Sequence, residues 1–287
     1  MPFPLAHPAA VLPLKRLWPL RFDFVALMIG SLLPDMAYTI DDLNKFSRTV
    51  SYVFGPAAEN LTWVKNAWDW DDFSHTFLGS VAFCLPLGQL LLVAFFSLRS
   101  AFVRTLPKPH RDALLPLCVG SRGSWPTCTY SLLAGIWTHI GWDSLTNGDR
   151  WLGQHWAFLR FPLEIGSTEI EVCHVLWLLS SLGGMVALVG AYVNFLRSQR
   201  SSGWLYQSGE LSYYLLWIVV LLISGLTAIP LTLQFSTFAG TLDERMYFLH
   251  RFAGYYIAAA ACGIVLVTLG SKLQECRRNA KAVRSNR

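Results

Sequence analysis

Apolar residues in this chain gather into long, nearly uncharged runs. Five of them, Thr76 to Leu98, Gly123 to Trp142, Val172 to Leu196, Leu211 to Phe238 and Phe252 to Ser271, read as membrane-spanning helices. Each reaches the roughly 20 residues that cross ~30 Å of hydrocarbon. A sixth run, Phe24 to Pro34, is only 11 residues long and is bracketed by Arg21, Asp23 and Asp35. That length suits a re-entrant segment better than a full span. The short run Ala113 to Gly120 packs against the other helices or lies at their surface. The pattern predicts an all-α polytopic membrane bundle: five strong spans, one short N-terminal re-entrant or spanning segment, and a basic tail over 272–287. All of it forms one integral-membrane domain over 1–287.

Composition agrees. Of 287 residues, 53% are hydrophobic and 14% charged, and the mean hydropathy is +0.40, which excludes soluble Rossmann, barrel or sandwich enzymes. The net charge of +5 comes from loops and the C-terminal tail rather than from an aromatic-studded basic patch, so it signals topology and not nucleic acid. Arg99, Arg104, Lys108 and Arg111 share one loop, Arg197 and Arg200 another, and six Lys or Arg fill the tail. These regions are expected to be cytoplasmic. The alternating loops, with Asp41, Asp42, Glu59, Asp69, Asp71 and Asp72 in one and Asp149, Glu164, Glu169 and Glu171 in the other, should face outward. Trp63, Trp68, Trp70, Trp142, Trp151 and Trp156 fit an interfacial belt on that outer side. Six cysteines without a C-x-x-C pair argue against a disulfide framework or thiolate zinc site. Met1 to Leu14, uncharged and proline-rich, does not read as a cleaved signal. Asn60-Leu61-Thr62 matches a glycosylation acceptor, a pattern frequent by chance.

Histidines and lone carboxylates are costly near a bilayer, so each needs a reason. His139 and Asp143 stand four apart in Thr138-His139-Ile140-Gly141-Trp142-Asp143, projecting from one helical face as two ligands of one metal would, or as a pair that satisfies itself. His75 sits in Asp71-Asp72-Phe73-Ser74-His75-Thr76, where Asp72 or Ser74 suits a helix cap and His75 has no capping task. Asp35 ends the short first run, either as a solvated terminus or as a ligand. His7 lies among prolines and alanines, an awkward place for an unpaired imidazole.

In order, His7-Pro8-Ala9-Ala10, Gly30-Ser31-Leu32-Leu33-Pro34-Asp35, Ser74-His75-Thr76 and Thr138-His139 with Trp142-Asp143-Ser144 resemble an uncharacterised family of bacterial multi-pass membrane proteins. That family is itself similar to inner-membrane metal-dependent hydrolases and, remotely, to zinc-dependent phospholipase C. The resemblance covers residues 1 to about 150. It implies that His7, Asp35, His75, His139 and Asp143 are metal ligands. The phospholipase relatives hold further zinc through a downstream H-x-x-x-E pattern, which this chain lacks. Glu171 and His174, three apart on one helical face, are the nearest substitute for a second site.

Topology adds a condition. If Phe24 to Pro34 crosses the membrane, His7 starts on the side opposite the other four. If it is re-entrant, all five can meet, which leaves Lys15, Arg16 and Arg21 outside against the positive-inside tendency.

Imidazole and carboxylate without thiolate suit zinc first, with manganese or iron as alternatives. There is no G-x-S-x-G elbow and no Walker-type loop. A metal-dependent hydrolase of an ester or phosphoester in a lipid or lipid-linked substrate is therefore expected, with Asp72 a candidate proton acceptor. The expected location is the bacterial inner membrane, acting at its outer face, with the C-terminus cytoplasmic. The alternatives are a non-catalytic protein with a structural metal or polar cluster, and a transporter.

Overall fold

A computed structural model describes residues 3–37, 70–120, 123–165, 168–199, 210–235 and 242–285. Asp41, Asp42, Glu59, Asp69, Trp63, Trp68, Arg200 and the Asn60 acceptor lie outside the described residues. A 3-10 helix, Pro4–Val11, leads into α1 (Leu12–Leu17) and α2 (Phe24–Gly30). The helical stretch α3 is described over 33–37. After α4 (Trp70–Ser74) and α5 (Phe77–Gly79), one π-type turn at Ser80–Cys84 joins α5 to α6 (Leu85–Arg104). Then come α7 (Lys108–Val119), α8 (Trp125–Thr146), α9 (Trp151–His155), a 3-10 turn at Ala157–Arg160 and a hairpin of β1 (Pro162–Ile165) and β2 (Thr168–Glu171). The long helices α10 (Val172–Ser198), α11 (Leu211–Phe235) and α12 (Leu242–Ser285) complete the order.

Among the described residues, four helices are long and apolar enough to cross a membrane: Phe77–Arg104, Val172–Ser198, Leu211–Leu233 and Arg251–Arg277. Their large apolar side chains, such as Leu90, Leu182, Leu222, Leu226 and Leu266, are more than 60% exposed, the surface hydrocarbon covers and water does not. The chain is an all-α polytopic membrane protein. Where five strong spans were expected, four helices among the described residues meet that measure. Gly123 to Trp142 does form a helix, α8, whose 22 residues are long enough, yet it falls short of the other four in apolarity. Thr129, Ser131 and Thr146 return their hydroxyls to carbonyls one turn back, and Ser131, His139, Asp143 and Thr146 are buried within the protein. At the Phe24 run, the seven residues of α2 rise only about 10 Å, and the helical stretch resumes at 33–37.

The chain divides into two compact units, 1–92 with 123–190, and 93–122 with 191–287. In the first unit, α2 lies against α8. Asp23 caps α2 by accepting from the Ala26 N–H at 2.9 Å, and its own N–H donates to Ser131 Oγ at 3.0 Å. Ser124 caps α8 through the Thr127 N–H. The two helices touch backbone to backbone at Gly30 and Gly135. A Cβ on Gly135 would lie 2.8 Å from Ser31 N and 3.0 Å from Gly30 Cα, and one on Gly30 would lie 3.1 Å from Leu132 Cα. Only glycine permits that approach.

The β hairpin was not expected from the hydrophobic pattern. Its strands alternate in character, Pro-Leu-Glu-Ile against Thr-Glu-Ile-Glu, and pair antiparallel with Leu163 opposite Ile170 and Glu164 opposite Glu169. In the second unit, α11 packs along α12. Glu210, just before α11, accepts from the Lys108 N–H and from Arg111 Nη2, both at 2.8 Å. Arg111 also lies over the Tyr213 ring.

Candidate metal centre

Four short segments deliver the polar side chains of the first unit's core. The Pro4–Val11 helix carries His7 between two prolines and is docked on α10: Phe3 N–H donates to Ser181 Oγ at 3.1 Å, the Phe3 ring meets Trp177 at 5.4 Å, and Ala6 closes on Gly184. Asp35 sits on α3, where buried Leu33 anchors the backbone. His75 occupies the sharp turn between α4 and α5, closed by the Thr76 N–H on the Phe73 carbonyl and by Gly79, which packs on the backbone of Phe73 and Ser74. His139 and Asp143 share the buried face of α8.

These five side chains converge. His75 Nε2 lies 3.2 Å from Asp143 Oδ2 and 3.3 Å from His139 Nε2. His139 Nε2 is 3.5 Å from Asp35 Oδ1 and 3.6 Å from Asp143 Oδ2. His7 Nε2 is 3.5 Å from Asp143 Oδ1 and 3.7 Å from Asp35 Oδ2. The side chains are between 0% and 6% exposed. Ligand atoms of Asp35, His75, His139 and Asp143 all lie within 4.8 Å of one another.

Hydrogen bonds around the group assign the imidazole tautomers. His139 Nδ1–H donates to the Ser31 carbonyl at 2.8 Å. The Ser74 hydroxyl gives its proton to the Pro34 carbonyl, so its oxygen accepts from His75 Nδ1–H at 3.1 Å. Both bonds leave Nε2 turned to the centre, the nitrogen a metal would take. Burial, and after it the neighbouring His139, pushes the His7 imidazole down to about 3, so His7 is neutral at ordinary pH.

The group is not satisfied by the protein alone. Both nitrogens of His7 and all four carboxylate oxygens of Asp35 and Asp143 are buried without a hydrogen bond. Two buried carboxylates without a donor are expensive. A cation between them removes that cost. Three nitrogens, two carboxylates and no thiolate fit a divalent ion.

Other candidates fall elsewhere. Asp72, on α4, is 72% exposed and pairs with Arg150 at 2.9 Å, outside the buried group. Glu171, Cys173 and His174 also bring ligand atoms within 4.8 Å of one another, with the Cys173 thiol donating to Glu171 Oε2. His110 meets the Tyr192 hydroxyl and His155 the Trp151 carbonyl. What motif reading did not assign is the supporting role of the Ser31 carbonyl and of Ser74. Both stand inside the motifs, and a serine flanking a histidine is the available signal for Ser74.

Fold and site together define a polytopic membrane protein with a buried His/Asp cluster of metal-binding type. A family model matches residues 1–269, that of a domain of unknown function, DUF4184, and the chain belongs to this family. No curated protein and no solved structure matches it.

Proposed function

We propose that this protein is a membrane-embedded metal-dependent hydrolase that cleaves an ester or phosphoester in a lipid or lipid-linked substrate. The observation that carries the reading is the buried set of carboxylate oxygens and imidazole nitrogens that no protein donor satisfies. Zinc is the first choice of ion, with manganese or iron next. The order of His and Asp motifs resembles an uncharacterised family itself similar to inner-membrane metal-dependent hydrolases, which supports the same reading. An ion at this centre supplies Lewis acidity and makes a nearby water easier to deprotonate. The chain's own part is to hold His139 through the Ser31 carbonyl and His75 through Ser74, so that neither ring turns. Loop charges support a bacterial inner-membrane location with the C-terminus cytoplasmic and the site toward the outer face, where lipids are the accessible substrates.

The test is elemental analysis of detergent-purified protein beside His139→Ala and Asp143→Ala, followed by a screen of lipid phosphoesters and esters. Stoichiometric metal and hydrolysis in the wild type, both lost in the variants, support the proposal. Hydrolysis that survives either substitution overturns it. The depth of the cluster favours a second reading, a structural ion closed to substrate. Bound metal with no hydrolysis, and a melting temperature that falls on chelation, would establish that one.

A further inference from the structure

Each of the two aspartates at the centre faces two ways. Asp35 turns Oδ1 to His139 at 3.5 Å and Oδ2 to His7 at 3.7 Å. Asp143 turns Oδ2 to His75 and His139, at 3.2 and 3.6 Å, and Oδ1 to His7 at 3.5 Å. The ligand atoms therefore sort into two groups. One contains His75, His139, Asp35 Oδ1 and Asp143 Oδ2. The other contains His7, Asp35 Oδ2 and Asp143 Oδ1.

The rings point the same way. The imidazoles of His7 and His139 are stacked, with centroids 3.8 Å apart and planes inclined by 26°. Both address the same pair of carboxylates. Stacked ligands at that spacing suit neighbouring ions, and two-metal sites have separations of about 3.5–4 Å. A single ion in the four-residue group would leave His7 Nε2, Asp35 Oδ2 and Asp143 Oδ1 buried and still without partners. A second ion satisfies all three.

We propose that the cluster is a dinuclear centre, with Asp35 and Asp143 bridging two divalent ions, His75 and His139 on one and His7 on the other. This rests on the reading of the cluster as a metal site. It also narrows the substrate. Two divalent cations against two carboxylates and three neutral imidazoles leave a surplus of two positive charges. That surplus selects an anionic phosphoester over a neutral carboxylic ester.

The experiment loads metal-free, detergent-purified full-length protein with Mn²⁺, counts bound manganese by elemental analysis and records its electron paramagnetic resonance spectrum. Two manganese ions per chain with an exchange-coupled multiline spectrum are expected. His7→Ala should drop the count from two to one and give an uncoupled six-line signal. Glu171→Ala should leave count and coupling as in the wild type. One uncoupled ion in the wild type overturns the dinuclear proposal while leaving a mononuclear centre. No bound ion in wild-type protein shown to be folded overturns the centre itself. Two uncoupled ions, or coupling that survives His7→Ala, also overturn the proposal. If His7→Ala does not fold, the wild-type count and coupling still decide between one ion and two.

Discussion

The contact between Gly30 and Gly135 allows a demanding test, because it acts on the site without touching a ligand. A methyl group at residue 135 would sit 2.8 Å from Ser31 N, about 0.6 Å inside an ordinary contact of 3.4 Å, and closer still to the Leu27 carbonyl. Both obstacles are backbone atoms, so no rotamer change relieves the clash and α2 must move off α8. Displacement by that amount stretches the His139 Nδ1 bond to the Ser31 carbonyl from 2.8 Å to about 3.4 Å, beyond hydrogen-bond range. Forcing a methyl into a packed contact costs about 1–3 kcal/mol. Losing the bond that orients a metal-binding histidine costs about 10- to 100-fold in metal affinity. Gly135→Ala should therefore lower the melting temperature and weaken metal binding by that factor, measured by competition with a chromogenic chelator. Gly141→Ala on the same helix meets nothing within 4 Å and should match the wild type in both. Wild-type affinity in Gly135→Ala would refute the claim that the helix contact positions His139.

Ser74→Ala removes the oxygen that accepts from His75 Nδ1; metal affinity should fall by about 10-fold or more, and Ser74→Thr should recover most of it. The metal-free protein should lose stability as pH falls from about 7 towards 4. His7 takes up a proton near 6.5 when unfolded but only near 3 when folded, so over that window the unfolded state binds more protons. Thermal melts of wild type and His7→Gln across this range check it, and the variant should show the weaker pH dependence. In the second unit, Glu210→Ala deprives the Lys108 N–H and Arg111 of their acceptor. The expected loss is about 1–3 kcal/mol, measured by denaturant titration, with bound metal unchanged.

The span pattern was legible wherever the chain is uniformly apolar, at α10, α11 and the helix beginning at Phe77. It overrated α8, whose polar residues put its apolarity below that of the other four. The polar residues of α8 were themselves the clue, since Ser131, His139, Asp143 and Thr146 recur on one face at helical spacing. The five charged or imidazole residues of the centre stood out because each was costly in its local surroundings. Their convergence could not be read from those surroundings. It depends on Ser181 and Gly184 holding the Pro4–Val11 helix, and on glycines bringing two helices into backbone contact. The hairpin was hidden by its shortness, since four-residue strands are weak signals beside runs of more than twenty.

The helix that carries His7 packs against α2 and α8 and is further held by Trp177, Ser181 and Gly184 of α10. During synthesis those anchors leave the ribosome some 170 residues after His7 (from Trp177 onward), many seconds later at about 5–20 residues per second. Until then the N-terminal segment rests on α2 and α8 alone and lacks its seat on α10. The last contacts around His7 are therefore a late event in biogenesis. Chains arrested before α10 emerges should hold His7 less firmly than the complete chain, and the order of assembly would make the last long helix of the first unit a checkpoint on metal acquisition.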